Sequence, residues 1–251
     1  MPGRTPAPAV PDWASPPAPP ARQPAPSLSR IGPIPDRLKP HVAPESAMIT
    51  IHGRATSMNV QAVMWGLTEL GLSADRIDVG FTFGGTDTPE FRAMNPNGLV
   101  PAFQDGQVTL FESAAILRYL ANRYGRFPFW PEDPVARAPV DMWAEWGKTT
   151  LQPSFMRPVW FPAFQGQPID DKARAAFEAN LDILEAQLAG TGPWILGSDF
   201  TFADLETGLP LYRYFTTDLD RGERPAIAAY YAALTARPAY ATHVMVPYDI
   251  L

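Results

Sequence analysis

The chain has 251 residues, a hydrophobic fraction of 46% and a net charge of −6, which fits a globular protein with one large or two small domains. The acidic balance and the absence of Lys or Arg runs exclude nucleic acid as an expected partner, and no stretch approaches the roughly 18 to 20 uninterrupted apolar residues that cross a membrane. Cysteine is absent and only three histidines occur, so we expect no disulfide, no metal site and no Ser/His/Asp triad. Any reactive thiol must therefore arrive on a bound molecule.

Residues 1–47 hold nearly half of the 30 prolines. Such a segment cannot sustain a helix or a strand ladder, and the sequence predicts that it is disordered. It lacks the continuous apolar region of a secretory signal peptide. The run PPAPP at Pro16–Pro20 is typical of a polyproline ligand, but an inert tail is the favoured interpretation. A third alternative is that translation begins at Met48.

The pattern changes at Met48 to a short strand, ITIHG, followed by a loop at 54–57. Apolar residues at helical spacing predict a helix over Asn59–Leu70, and Gly71 supplies its end. Alternation over Arg76–Phe83 predicts a second strand. Strand, helix and strand form a βαβ unit, whose two strands should be parallel.

A second group of elements completes this region. Pro89 at a first helical position predicts a short helix, which Asn95–Gly98 closes. Two strands then flank Asp105-Gly106, a strong hairpin signal, and a helix follows over Glu112–Tyr124. The predicted strands are Val100–Phe103 and Gln107–Phe111. The order βαβ then ββα predicts one α/β domain over residues 48–126.

The proline-rich segment FPFWPEDP makes residues 127–133 the predicted linker. Beyond it the sequence shows helical patterns and no convincing strand, so residues 134–251 are predicted to form an all-helical domain. Thr201 and Asp204 have the spacing of a capping box, a hydroxyl with an acid three residues later. The other predicted helices cover Pro134–Leu151, Ile169–Leu188 and Ala226–Thr235.

The stretch Asn95–Ser113 has the parts of a small-peptide binding edge. Val100 and Pro101 offer backbone for pairing, while Glu112 and Ser113 place charge and hydrogen-bonding groups at a helix N-terminus.

Together with both halves of the chain, this stretch resembles the glutathione S-transferase family, specifically bacterial members near the theta and zeta classes. The resemblance implies a thioredoxin-like domain that binds glutathione, followed by a helical-bundle domain, so the fold class is α/β plus all-α. The matching segments are NPNGLVPAF (Asn95–Phe103), FESAAILRYLANRYG (Phe111–Gly125), ITIHGRATSMNVQAVMW (Ile49–Trp65) and DFTFADL (Asp199–Leu205).

The resemblance also implies roles for single residues. Pro101 matches a cis-proline that presents the Val100 backbone to the cysteinyl part of glutathione, and Glu112 with Ser113 matches the pair that holds the γ-glutamyl end. Leu99 stands where many members carry a polar or basic residue, and Thr86 where theta-like members carry a histidine, both near the glycyl carboxylate. Arg54 is a candidate to bind that end instead, with a solvated loop charge as the equal alternative.

Ser57 falls where theta-like and zeta-like members carry their catalytic serine. A hydroxyl there can donate a hydrogen bond to the glutathione sulfur, and the helix N-terminus adds partial positive charge. Lowering a thiol pKa by about two units requires about 2.7 kcal/mol of thiolate stabilisation. Thr56 and Asn59 are the alternatives for this role, and a simple helix cap is the alternative function of Ser57.

Aromatic and sulfur-containing residues in Thr149–Phe164 predict an apolar pocket for a small electrophile, although such residues more often form core. Trp143 and Trp146 are assigned to core packing. The proposed pocket residues are Phe155, Met156, Trp160 and Phe161.

The resemblance implies a cytoplasmic homodimeric transferase with glutathione as co-substrate. The alternatives are a non-catalytic binding or assembly protein with this fold, and a glutathione-dependent isomerase or dehalogenase.

Overall fold

The computed structural model describes residues 49–248. The predictions made for residues 1–47, including the polyproline segment, lie outside the described residues. The first half of this region builds a four-stranded sheet in the order β2-β1-β3-β4. The strands are β1 (Ile49–His52), β2 (Ala74–Ile77), β3 (Ala102–Asp105) and β4 (Val108–Phe111).

Two connections set the directions of these strands. Helix α1 (Met58–Glu69) crosses from β1 to β2, and the two strands are parallel with Ile49 opposite Ala74. The hairpin at Gly106 makes β3 and β4 antiparallel, with Asp105 opposite Val108, and β3 also pairs antiparallel with β1. The predicted βαβ-ββα order is confirmed.

The second predicted strand, Arg76–Phe83, was placed too far along the chain. The observed strand ends at Ile77, and Phe81–Phe83 form a single 3₁₀ turn closed by a hydrogen bond from the Gly80 N–H to the Gly84 carbonyl, 2.7 Å. Gly80 and Gly84 both have positive φ, +88° and +63°, which breaks the extended backbone. The alternating residues there are exposed instead of paired in the sheet.

Three helices accompany the sheet. Helix α1 packs against α3 (Ser113–Tyr124), while the short α2 (Pro89–Met94) packs against β3 and β4. Helix α1 is buried on nearly every side because two helices of the second half, α8 and α11, also cover it. The N-terminus of α1 therefore lies where the two halves of the chain meet.

The second half is helical within residues 134–248, where the only strand-like pairing described is an isolated bridge between Trp194 and Gly197. No helix in residues 49–248 combines the length and apolar character needed to cross a bilayer. Its helices are α4 (Pro134–Trp146), α5 (Gln152–Phe155), α6 (Phe161–Phe164), α7 (Asp171–Thr191), α8 (Phe202–Gly208), α9 (Leu211–Thr216), α10 (Pro225–Thr235) and α11 (Pro238–His243).

Helices α4, α5 and α6 form one continuous helical run over residues 134–164. Two π-helical turns, Gly147–Leu151 and Met156–Trp160, join them. The predicted end of this helix at Leu151 is therefore wrong. The run continues through three prolines, each of which lies inside or soon after a π-helical turn.

The predicted capping box is present at the start of α8. The Asp204 carboxylate accepts from the Thr201 N–H at 2.8 Å and from the Ile195 N–H at 3.0 Å. Tyr230 donates to the same carboxylate at 3.1 Å, and Asp204 is fully buried. This acid therefore connects three separate segments of the helical half.

Candidate active site

Two cavities adjoin at the N-terminus of α1. The larger has a volume of about 650 Å³ and the smaller about 410 Å³. Both are lined by Ser57, and the smaller extends along the loop that carries Val100. The residues common to the two linings are Arg54, Ser57, Asn59 and Phe81. A ligand in one cavity would therefore meet a ligand in the other beside Ser57.

Ser57 occupies the N-cap position of α1 in an extended conformation. Its carbonyl accepts from the Gln61 N–H at 2.8 Å, which starts the helix, but its side chain makes no capping hydrogen bond. Ser57 is 8% exposed and lines both cavities. The hydroxyl is thus available to a ligand, beside the partial positive charge of a twelve-residue helix.

The two alternatives to Ser57 are placed differently. The Thr56 carbonyl accepts a hydrogen bond from Arg213 Nη2 at 2.8 Å, and Thr56 lines only the larger of the two cavities. The Asn59 Oδ1 atom accepts from Lys148 Nζ at 2.8 Å and from Ser113 Oγ at 3.4 Å. The Asn59 oxygen is therefore engaged already, in contrast to the Ser57 hydroxyl.

Val100 and Leu99 line the smaller cavity together with Thr86. The Val100-Pro101 peptide bond is cis, as the family resemblance implied, and a second cis bond occurs at Phe127-Pro128. Within residues 49–248 the Val100 main chain makes no hydrogen bond, because β3 begins only at Ala102. This backbone is free to pair with an extended ligand.

Glu112 and Ser113 begin α3. Glu112 is exposed and has φ +68°, a region that residues other than glycine rarely adopt and that is often found at ligand sites. Its side chain does not cap α3. Ser113 is buried, and its Oγ accepts a hydrogen bond from Lys148 Nζ at 2.9 Å. The structure thereby adds a lysine from the helical half to this pair.

Met156, Trp160 and Phe161 line the larger cavity, as predicted, and Phe164 extends the same wall. Trp160 and Phe164 stack with ring centroids 5.1 Å apart. Phe155 does not belong to this wall. It is fully buried and stacks on Phe177 at 4.8 Å, because its position on the helical run faces α7.

Trp143 and Trp146 are partly buried and contact each other edge to face at 5.1 Å. They pack against the core, in line with their assignment from the sequence.

The larger cavity is strongly positive. Its lining contains four cations and no acid: Arg54, Lys148, Arg157 and Arg213. Burial lowers the pKa of the Arg54 guanidinium, and burial lowers the pKa of Arg213 to about 10. Both side chains nevertheless stay charged at neutral pH. Such a cavity favours anions, including carboxylates and a thiolate. Among residues 49–248 no group of three or more His, Asp or Glu side chains is arranged to hold a metal ion.

Comparison with known proteins identifies the family. The family model of the glutathione S-transferase N-terminal domain matches residues 48–122, and the family model of the C-terminal domain matches residues 158–233. Glutathione S-transferase GstB of Escherichia coli is 35% identical over 209 residues, which cover 80% of this chain and 99% of the relative. The chain belongs to the glutathione S-transferase family. The resemblance inferred from the sequence is thereby confirmed, as is the thioredoxin-like domain followed by a helical domain.

Solved structures of other glutathione S-transferases agree with this fold. A theta-class enzyme from Xanthomonas axonopodis pv. citri, solved with glutathione bound, is 38% identical with a TM-score of 0.72, and the match covers 80% of this chain and 99% of that one. The Bombyx mori glutathione transferase BmGSTD1 is 25% identical with the same TM-score, covering 79% and 93%.

Several lining residues of this glutathione S-transferase were missed in the sequence, among them Lys148, Gln152 and Arg213. Two of them belong to a regular series that the structure reveals. Lining residues recur at every fourth position of the helical run, as Lys148, Gln152, Met156, Trp160 and Phe164. In a regular α-helix, with 3.6 residues per turn, side chains at every fourth position drift gradually away from one face. Each π-helical turn contains one extra residue, which compensates for this drift and keeps the series on the cavity side.

Proposed function

We propose that this glutathione transferase holds glutathione along the smaller cavity, with the sulfur at Ser57, and receives an electrophile in the larger cavity. The observation that carries the proposal is the Ser57 hydroxyl. It makes no capping bond, lies at the junction of the two cavities and stands at a helix N-terminus.

The ends of glutathione have matching groups on this surface. The α-carboxylate of the γ-glutamyl end is assigned to Lys148 and Ser113, which already contact each other, and its ammonium to the exposed Glu112. The unpaired Val100 backbone is assigned to the cysteinyl part.

The glycyl carboxylate is assigned to Arg54. Thr86 and Leu99 line the same cavity but provide no charge. The Arg54 Nε atom is buried without a hydrogen-bond partner, and the guanidinium lies over Phe81, 5.3 Å from the ring centroid. A carboxylate would supply the missing partner, so Arg54 replaces the basic or histidine residue that the family pattern has elsewhere.

The chemistry follows from this placement. The glutathione thiol loses its proton to solvent, and the Ser57 hydroxyl donates a hydrogen bond to the resulting thiolate. In a substitution, the sulfur electron pair forms a C–S bond while the leaving group departs with its own bonding electrons. Positioning of the two substrates and stabilisation of the sulfur anion are the contributions of the protein.

We also propose that the enzyme is a cytoplasmic homodimer, with the family resemblance as the support for assembly. Reduced glutathione is the main thiol of the cytosol, which supports the location. Light scattering of the purified protein measures the assembly.

Titration calorimetry with glutathione and a conjugation assay with 1-chloro-2,4-dinitrobenzene test the proposed function. We expect Ser57→Ala to bind glutathione nearly as well as wild type but to lose about 10- to 100-fold in kcat/KM, because one hydrogen bond to a charged sulfur is removed. Thr56→Ala is the matched control, since it removes a neighbouring hydroxyl of the larger cavity.

The pKa of bound glutathione, followed through thiolate absorbance, should rise by about one to two units in Ser57→Ala only. No binding of millimolar glutathione to wild type would favour a non-catalytic protein. Full activity of Ser57→Ala would refute the role of Ser57.

A further inference from the structure

A buried arginine without an acidic partner borders the larger cavity. Arg213, on α9, is only 3% exposed, and no Asp or Glu of residues 49–248 forms an ion pair with it. Its Nε atom is buried without a hydrogen bond. Burial of a charge is unfavourable unless an opposite charge or hydrogen bonds compensate it, so this arrangement is incomplete in the free protein.

The guanidinium of Arg213 is held in a fixed orientation. Its Nη2 atom donates to the Thr56 carbonyl at 2.8 Å. The Trp160 ring lies 4.9 Å from the guanidinium carbon and the Tyr248 ring 5.3 Å from it. A planar guanidinium fixed in this way is prepared for a planar anion such as a carboxylate.

Glutathione does not account for this charge. In the proposed function its two carboxylates are assigned to Lys148, which contacts Ser113 at the start of α3, and to Arg54, which lines both cavities. Arg213 instead stands beside Trp160, on the apolar wall assigned to the electrophile, and does not line the smaller cavity.

We propose that Arg213 binds a carboxylate on the electrophile, so that the enzyme prefers acidic aromatic substrates over neutral ones of the same shape. This inference rests on the proposed function and names its second substrate class. The aromatic part would lie against Trp160 and Met156, and the reacting carbon would face the sulfur near Ser57.

A matched pair of substrates tests the proposal: 4-chloro-3,5-dinitrobenzoate and 4-chloro-3,5-dinitrobenzamide. In each case the glutathione sulfur forms the C–S bond, chloride leaves with the C–Cl electrons and the thiol proton passes to solvent. The readout is the ratio of kcat/KM for the acid to kcat/KM for the amide. An indirect effect of a variant on Ser57 or on glutathione binding changes both values by the same factor and cancels in this ratio.

Arg213→Met should lower this ratio by about 10- to 100-fold, the range expected for loss of a hydrogen bond to a charged group. Arg213→Lys should retain part of the ratio. Lys172→Met removes the same charge at an exposed position outside both cavities and should leave the ratio at its wild-type value. An equal loss for both substrates in Arg213→Met would overturn the proposal and leave Arg213 as a support for the Thr56 loop.

Binding separates this proposal from the proposed function. The chemically prepared glutathione conjugates of the acid and of the amide are titrated into wild type, without any turnover. We expect the acid conjugate to bind at least about tenfold more tightly. Equal affinities would overturn the Arg213 assignment even if no variant folds. If the protein binds the acid conjugate more tightly but conjugates neither substrate, the proposed transferase chemistry is refuted and the Arg213 assignment stands.

Discussion

Lys148 offers the sharpest test of where glutathione lies, because it reaches the site from the helical half of the chain. Its Nζ atom donates to Ser113 Oγ at 2.9 Å and to Asn59 Oδ1 at 2.8 Å. An ammonium group has three donors. The third is assigned to the α-carboxylate of the γ-glutamyl end. Replacement by Met keeps a similar length and removes both the charge and the donors.

The expected loss can be bounded. A hydrogen bond to a charged group contributes about 1.5 to 3 kcal/mol, which corresponds to a loss of about 10- to 150-fold in glutathione affinity. The Ser113 hydroxyl and the Asn59 oxygen can still bond each other, since they lie 3.4 Å apart, so the fold should change little. Lys148→Arg keeps the charge and should recover most of the affinity.

The assay is a double-mutant cycle between protein and ligand, measured by titration calorimetry. The second ligand is 4-aminobutanoyl-cysteinylglycine, which keeps the ammonium of glutathione but lacks the α-carboxylate. If Lys148 contacts that carboxylate, Lys148→Met should weaken glutathione strongly and the shortened peptide hardly at all, with a coupling energy above about 1 kcal/mol. Equal losses for the two peptides would refute the assigned contact.

Three further predictions use other parts of the structure. Arg54→Met should weaken the binding of glutathione about tenfold or more. The affinity for γ-glutamylcysteine, which lacks the glycyl carboxylate, should stay within about threefold of the wild-type value. Equal losses of affinity for the two peptides, measured by calorimetry, would contradict the assignment. Burial raises the pKa of Asp204 to about 6. Between about pH 4 and 6 the folded protein therefore keeps a proton on this carboxyl that the unfolded chain has lost. Through this group the free energy of unfolding should fall by about 3 kcal/mol as the pH rises across that range. Urea unfolding across this pH range should show that this part of the slope is lost in Asp204→Asn relative to wild type. A Cβ at Gly53 would lie 2.4 Å from the buried Val60 Cγ2, so Gly53→Ala should destabilise by about 1 to 3 kcal/mol in urea. Gly190→Ala, where no atom lies within 4 Å, should instead be neutral or slightly stabilising.

Local signals in the sequence predicted much of the first half. Helical spacing located α1, and Asp105-Gly106 located the hairpin between β3 and β4. These features depend on residues near each other in the chain, where turn chemistry and periodicity act directly. The strand ending at Phe83 was wrong because alternation alone cannot detect the positive φ that Gly80 adopts.

The helical half was harder to predict from local patterns. Prolines at 153, 158 and 162 normally end or kink a helix, and they favoured an end near Leu151. The structure instead continues the run through π-helical turns. A single sequence does not indicate these turns in advance, and the positions of lining residues beyond them depend on the extra residue that each turn takes in.

The missed site residues share a different cause. Lys148 contacts residues 35 and 89 positions away, and Arg213 contacts Thr56 across 157 positions. Contacts of this kind arise only when the two halves pack together. The sequence resemblance assigned site roles to residues of the thioredoxin-like part, but it supplied no pattern for cations that arrive from the helical part.

The continuous helical run has a consequence for how such an enzyme can diversify. In the proposed function Lys148 binds glutathione from one turn of this run, while Met156, Trp160 and Phe164 on later turns contact the second substrate. A tilt of this helical run would displace Lys148 and the aromatic wall together. Large backbone movements would therefore weaken the binding of both substrates. Exchange of single side chains at the later positions of this series, Met156, Trp160 and Phe164, leaves Lys148 in place. Evolution of new substrate preferences should therefore proceed through those positions, and laboratory selection can be confined to them.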